Sequence, residues 1–175
     1  FQMLPVVDTR VLALLKYHLD RDFPESPELA HYEMLSILEP DEIVLEVGGI
    51  SLMPDGRPIV TTRRGDVWVV EGAYDVPPFN ARYIPFASGL HESLGAWWQD
   101  GGLLVAQRGE VTRLVDTDGD DRADRYETYS DGWGVSGNYH EFAFGPEADG
   151  EGRLWVTLNV GFCGSLGKSI VPWRG

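Results

Sequence analysis

The densest chemistry in the sequence lies in one stretch, Asp116-Thr117-Asp118-Gly119-Asp120-Asp121-Arg122-Ala123-Asp124-Arg125-Tyr126-Glu127. Counted from Asp116, carboxylates fall at positions 1, 3, 5, 9 and 12, the ligand spacing of an EF-hand-type calcium loop. Carboxylates crowded this way repel one another, and a hard divalent cation relieves the repulsion by accepting their oxygens at about 2.3–2.6 Å. The expected ligands of Ca2+ are the side chains of Asp116, Asp118, Asp120 and Asp124, the carbonyl of Arg122, and Glu127. Two features depart from the pattern. Position 6 is Asp121, where the sharp turn ordinarily takes Gly, and the flanks read as strands rather than helices. The same residues also fit a solvated acidic turn that holds no ion.

Several other spacings exclude chemistry. Gly132-Trp133-Gly134-Val135-Ser136-Gly137 fits G-x-G-x-x-G, but no strand–helix unit surrounds it, so it does not read as a dinucleotide site. The run from Gly161 to Lys168-Ser169 approaches a phosphate loop, with Phe162 where the first Gly must stand. His91-Glu92 is followed by Ser93-Leu94-Gly95, which rules out HExxH. The four histidines and the lone Cys163 show no zinc-ligand spacing, and one cysteine permits neither an internal disulfide nor covalent haem. No GxSxG nucleophile elbow is present.

Two textures position these residues. Over 1–40 the sequence reads as a helical arm: Asp8 or Thr9 caps a segment with Val11, Leu14, Leu15 and Leu19 at helical spacing, and Pro24 ends it. From Ile43 the pattern changes to short strands and turns, giving a second domain over 41–175. Ile59–Thr62 and Val67–Val70 are apolar runs joined across Arg63-Arg64-Gly65-Asp66, the signature of a hairpin. The phrase returns as Leu103–Ala106, Arg108-Gly109 and Val111–Val115, with Arg64-Gly65 and Arg108-Gly109 lying 44 residues apart. A third copy begins at Phe144-Gly145-Pro146, with Gly152-Arg153-Leu154-Trp155-Val156-Thr157 as its central strand. A repeat of this length with several short strands per unit predicts propeller blades. The expected fold is therefore all-β, a partial β-propeller of about three four-stranded blades preceded by a helical N-terminal arm. Closed propellers have roughly four to eight blades, so such an arc has open faces that a partner or further blades must cover.

The residues also carry a family resemblance. Leu52-Met53-Pro54-Asp55-Gly56-Arg57 through Arg63-Arg64-Gly65-Asp66-Val67-Trp68-Val69 resembles the first blade of the soluble quinoprotein sugar dehydrogenase-like propellers. His140 followed by Phe144-Gly145-Pro146 and Gly152-Arg153-Leu154-Trp155-Val156 resembles the blade that carries their catalytic base. The run from Arg108 to Asp120 looks like exported propellers often joined to a haem-binding domain. The resemblance covers about 43–175. It implies that His140 removes a hydroxyl proton while hydride passes to pyrroloquinoline quinone (PQQ), and that Arg63, Arg64 or Arg108 holds the quinone carboxylates. In this chain the spacing from His140 to Gly145-Pro146 is shorter than in those dehydrogenases. A histidine bonded to loop backbone beside Tyr139 is the competing reading.

Charge narrows the partners. The 175 residues carry 14 Lys and Arg against 28 Asp and Glu, a net charge of −14, which repels phosphate backbones and anionic lipid. No apolar run approaches the ~20 residues of a membrane-spanning helix. The expected function is a non-catalytic extrinsic subunit or interaction module, exported to a periplasmic or extracellular setting. It would dock on other protein subunits of a larger, membrane-associated electron-transfer complex, with the arm and Gly161–Gly175 supplying much of the contact. The alternative is the N-terminal part of a quinoprotein sugar or alcohol dehydrogenase.

Overall fold

The computed structural model describes residue 37 and residues 39–75, 81–135 and 139–159. The chain divides into two units, Phe1–Leu35 and Ser36–Gly175, and every element below belongs to the second. The helical arm expected over 1–40 lies outside the described residues save 37, 39 and 40, which are not helical. Gly161–Gly175, with Cys163, lies outside them too.

Among the described residues there is no helix, and all strand pairs are antiparallel. The first sheet runs β1 (Val47–Leu52), β2 (Pro58–Thr62), β3 (Val67–Glu71), β4 (Arg82–Ala87), each strand beside its sequence neighbour. The second repeats that order with β5 (Ala96–Gln99), β6 (Gly102–Ala106), β7 (Val111–Val115) and β8 (Arg125–Ser130). The third pairs β9 (Ala143–Ala148) with β10 (Leu154–Leu158). Four strands per sheet were expected; the third sheet has two among the described residues. Arg64-Gly65 closes the β2–β3 hairpin and Arg108-Gly109 the β6–β7 hairpin, the same place in successive sheets, as the repeat predicts.

Turn chemistry explains why these strands fold back where they do. At the β1–β2 turn the Asp55 carboxylate accepts the Arg57 backbone N–H at 2.9 Å. At β9–β10 the Asp149 carboxylate accepts the backbone N–H groups of Glu151 and Arg153 at 2.9 and 3.0 Å. The β5–β6 turn is the two-residue Asp100-Gly101, both at positive φ (51° and 73°), which matches the twist of the flanking strands. Asp and Gly therefore close the first hairpin of all three sheets.

The sheets meet along their first strands. A Cβ on Gly49 of β1 would lie 2.4 Å from the Gly95 Cα, and one on Gly95 would lie 2.0 Å from the Gly145 carbonyl oxygen in β9. Only glycine allows backbones to approach so closely. The core between the first two sheets joins Ile59, Val67, Val69 and Phe86 to Leu103, Val105 and Leu114, with Trp98 packed against it. Each such buried aliphatic side chain contributes about 1.5–3 kcal/mol relative to exposure. A smaller cluster of Val60, Val70 and Ala73 lies on the opposite face of the first sheet.

Candidate metal centre

The acidic stretch is the β7–β8 connection. Its first residue organises it: Asp116 Oδ1 accepts the Gly119 N–H at 2.7 Å and the Asp118 N–H at 3.2 Å, while Oδ2 accepts that of Asp121 at 3.0 Å. The Asp124 N–H donates to the Val115 carbonyl at 2.9 Å and closes the loop. Asp116, Asp118 and Asp120 each bring a carboxylate oxygen within 4.8 Å of the others. Asp120 and then Asp124 push the Asp118 carboxyl above its ordinary pKa, because like charges concentrate around it. A hard cation is what this oxygen set can hold.

The remaining expected ligands divide. The Asp124 carboxylate accepts both the N–H and the hydroxyl of Thr117 at 2.8 Å, and these bonds lower its pKa. The Arg122 N–H donates to Asp120 Oδ1 at 2.9 Å. Glu127 lies on β8 and pairs with Arg125 at 2.8 Å and Arg113 at 3.7 Å, so the structure engages it along the strand instead of in the three-carboxylate group. A strand after the loop turns that twelfth position aside, where an EF-hand helix would bring it inward.

Asp121 resolves the sixth-position anomaly. It adopts φ 64°, the left-handed backbone that Gly ordinarily supplies there. Its carboxylate takes two hydrogen bonds from Arg57, at 2.7 and 2.8 Å, and this pairing lowers its pKa. Arg57 also donates from Nε to Asp55 at 2.6 Å. The loop is thereby clasped to the first sheet, aided by the Ala123 N–H on the Phe86 carbonyl at 2.8 Å and by the Tyr126 hydroxyl on Ser88. The anomaly in the sequence pointed at the residue but not at its partner, 64 positions away.

The residues implied by the quinoprotein resemblance gather in part. Arg63 and Arg108 share Glu92, at 3.6 and 3.2 Å, and both guanidinium groups stand over the Phe142 ring, at 5.8 and 5.9 Å. Arg64 turns to Glu46 at 3.3 Å. His140 lies against Tyr139, ring centroids 3.8 Å apart, and its carbonyl accepts the Asn159 amide at 3.0 Å. Glu92 and Phe142 were not singled out in the sequence. Glu92 sat beside a histidine in a failed zinc motif, and nothing local marks it as the shared partner of two arginines from successive sheets.

No family model, curated protein or solved structure matches this chain. Among the described residues no helix is long and apolar enough to cross a membrane.

Proposed function

We propose that the second unit is part of a β-propeller and that the chain is a non-catalytic, exported extrinsic or interaction module. It docks through exposed sheet faces on other subunits of a larger assembly, in the manner of a membrane electron-transfer complex. One repeated position carries the reading. Two residues past Gly49, Gly95 and Gly145, the first strands place Ser51, Trp97 and Glu147 opposite Ile59, Leu104 and Trp155. Ile59 and Leu104 are 0% and 1% exposed, whereas Trp155 is 61% exposed. The same apolar position that is closed over in the first two sheets is bare in the third, with Phe144 exposed near it. Exposed apolar surface of this kind marks interaction sites.

Calcium belongs to the same proposal. Asp116, Asp118 and Asp120 supply the oxygens, and the Arg57–Asp121 clasp couples their loop to the first sheet. The dehydrogenase alternative draws on the convergence of Arg63 and Arg108. Glu92 already neutralises part of that charge, so a quinone carboxylate would have to displace it.

Two assays test the reading. The purified chain, given PQQ and a panel of sugars and alcohols, is expected to reduce no redox dye; steady turnover abolished by His140→Ala would overturn the non-catalytic assignment. A photo-crosslinker placed at position 155 is expected to capture defined cell-envelope subunits, while one at exposed Asp131 does not. Equal or absent capture at both positions would overturn docking through this face.

A further inference from the structure

We infer that the bare face of the third sheet receives an arginine-bearing segment of a partner protein, its guanidinium stacked on Trp155 and paired with Glu147; this rests on the docking reading above and names the partner's chemistry. Register defines the face. Trp155 stands directly opposite Glu147, and Thr157 opposite Phe144. Residues paired this way share one side of a sheet, with Cβ atoms about 4.5–5.5 Å apart. Phe144 and Glu147 are three residues apart, which in a regular strand would put them on opposite sides. The register shifts between Trp155 and Thr157, and this irregularity keeps both on the exposed side while Ala143 and Pro146 are buried. Phe144, Glu147, Trp155 and Thr157 are thus exposed together.

Whatever covers Trp155 must also cover Glu147. The nearby Arg153 is already engaged, by Asp149 at 2.7 Å and Glu151 at 2.8 Å, and among the described residues Glu147 has no ion-pair partner. A purely apolar cover would take the Glu147 carboxylate out of water with nothing to pair it, which is costly. An acidic cover would meet the like charges of Glu147, Asp149 and Glu151. Arginine answers both demands, because its planar guanidinium stacks on an aromatic ring and donates paired N–H groups to a carboxylate. A lysine ammonium offers neither the plane nor the fork. Trp155 is held ready: its indole N–H donates to Asp149 at 2.9 Å, and a fixed aromatic group loses little freedom on docking. The chain's charge of −14 attracts a cationic segment from a distance, so added salt should weaken the docking.

Calorimetric titration of the full chain with three end-blocked peptides tests the chemistry; in them leucine alternates with arginine, with lysine or with glutamate. The arginine peptide should bind, the lysine peptide more weakly and the glutamate peptide not at all. Glu147→Gln, at an exposed position, should weaken the arginine peptide at least ~10-fold, the loss expected when one partner of a covered charge pair is removed. Asp131→Asn removes the same charge from another exposed site and should leave the affinity unchanged, which separates a specific pair from general attraction. Equal affinity for all three peptides, binding of none, or equal losses in the two variants would overturn the inference. If crosslinks from position 155 still reach envelope subunits, only the partner's chemistry is overturned. If they reach no subunit, or land on this same polypeptide, the docking reading falls as well.

Discussion

Asp118 is where the acidic loop stores its repulsion. Its carboxyl is raised above the ordinary value by Asp120, Asp124 and Asp116, so the folded chain holds a proton there more tightly than the unfolded chain does. That contribution to stability is fully present below the unfolded value and is lost as pH rises through the raised one. Without added cation, Asp118→Asn should therefore raise the melting temperature near neutral pH and weaken this part of the pH dependence. With Ca2+ the order reverses: the parent chain gains stability by mass action, and Asp118→Asn and Asp116→Ala lose that response. Calcium that leaves the parent melting curve unmoved would remove the ion from the account. Asp149 behaves oppositely. Bonds from Trp155 and Arg153 hold it down to about 2, so its contribution is present at neutral pH and lost as pH falls toward that value. Denaturant titrations at descending pH should show this loss in the parent and not in Asp149→Asn.

At the scale of elements, the β7–β8 loop and the first strands make separable predictions. Asp121→Ala breaks two charge-assisted bonds to Arg57 and puts alanine at φ 64°, so it should cost about 1–3 kcal/mol in chemical denaturation. Asp121→Gly loses the same bonds but relaxes the backbone, and should cost less. Equal costs would mean that backbone strain plays no part. Gly49→Ala forces a Cβ to 2.4 Å from the Gly95 backbone, and should cost about 1–3 kcal/mol as overpacking does. The strands and their hairpins were legible because turn residues and alternating apolar runs are local signals. Arg64-Gly65 and Arg108-Gly109 announced equivalent turns 44 residues apart. The Arg57–Asp121 clasp and the sharing of Glu92 were not legible, since each joins residues whose nearness exists only once two sheets have packed. The bend of Glu127 away from the loop follows from the strand on which it sits, and EF-hand spacing alone does not encode that.

At the scale of the molecule, the repeat told how many sheets to expect, and burial tells which of their faces remain uncovered. Ile59, Leu104 and Trp155 occupy one position in three sheets, yet their sequence types give no hint that only the third is bare. The central claim is that this bareness is an unfilled interface. Hydroxyl-radical footprinting of the full chain, read residue by residue, tests it most directly. In dilute chain Trp155 should label strongly while Leu104 and Ile59 stay protected, and Trp155 should become protected as the chain associates with its partner. Protection of Trp155 in the dilute monomer, or labelling that association does not change, would contradict the account.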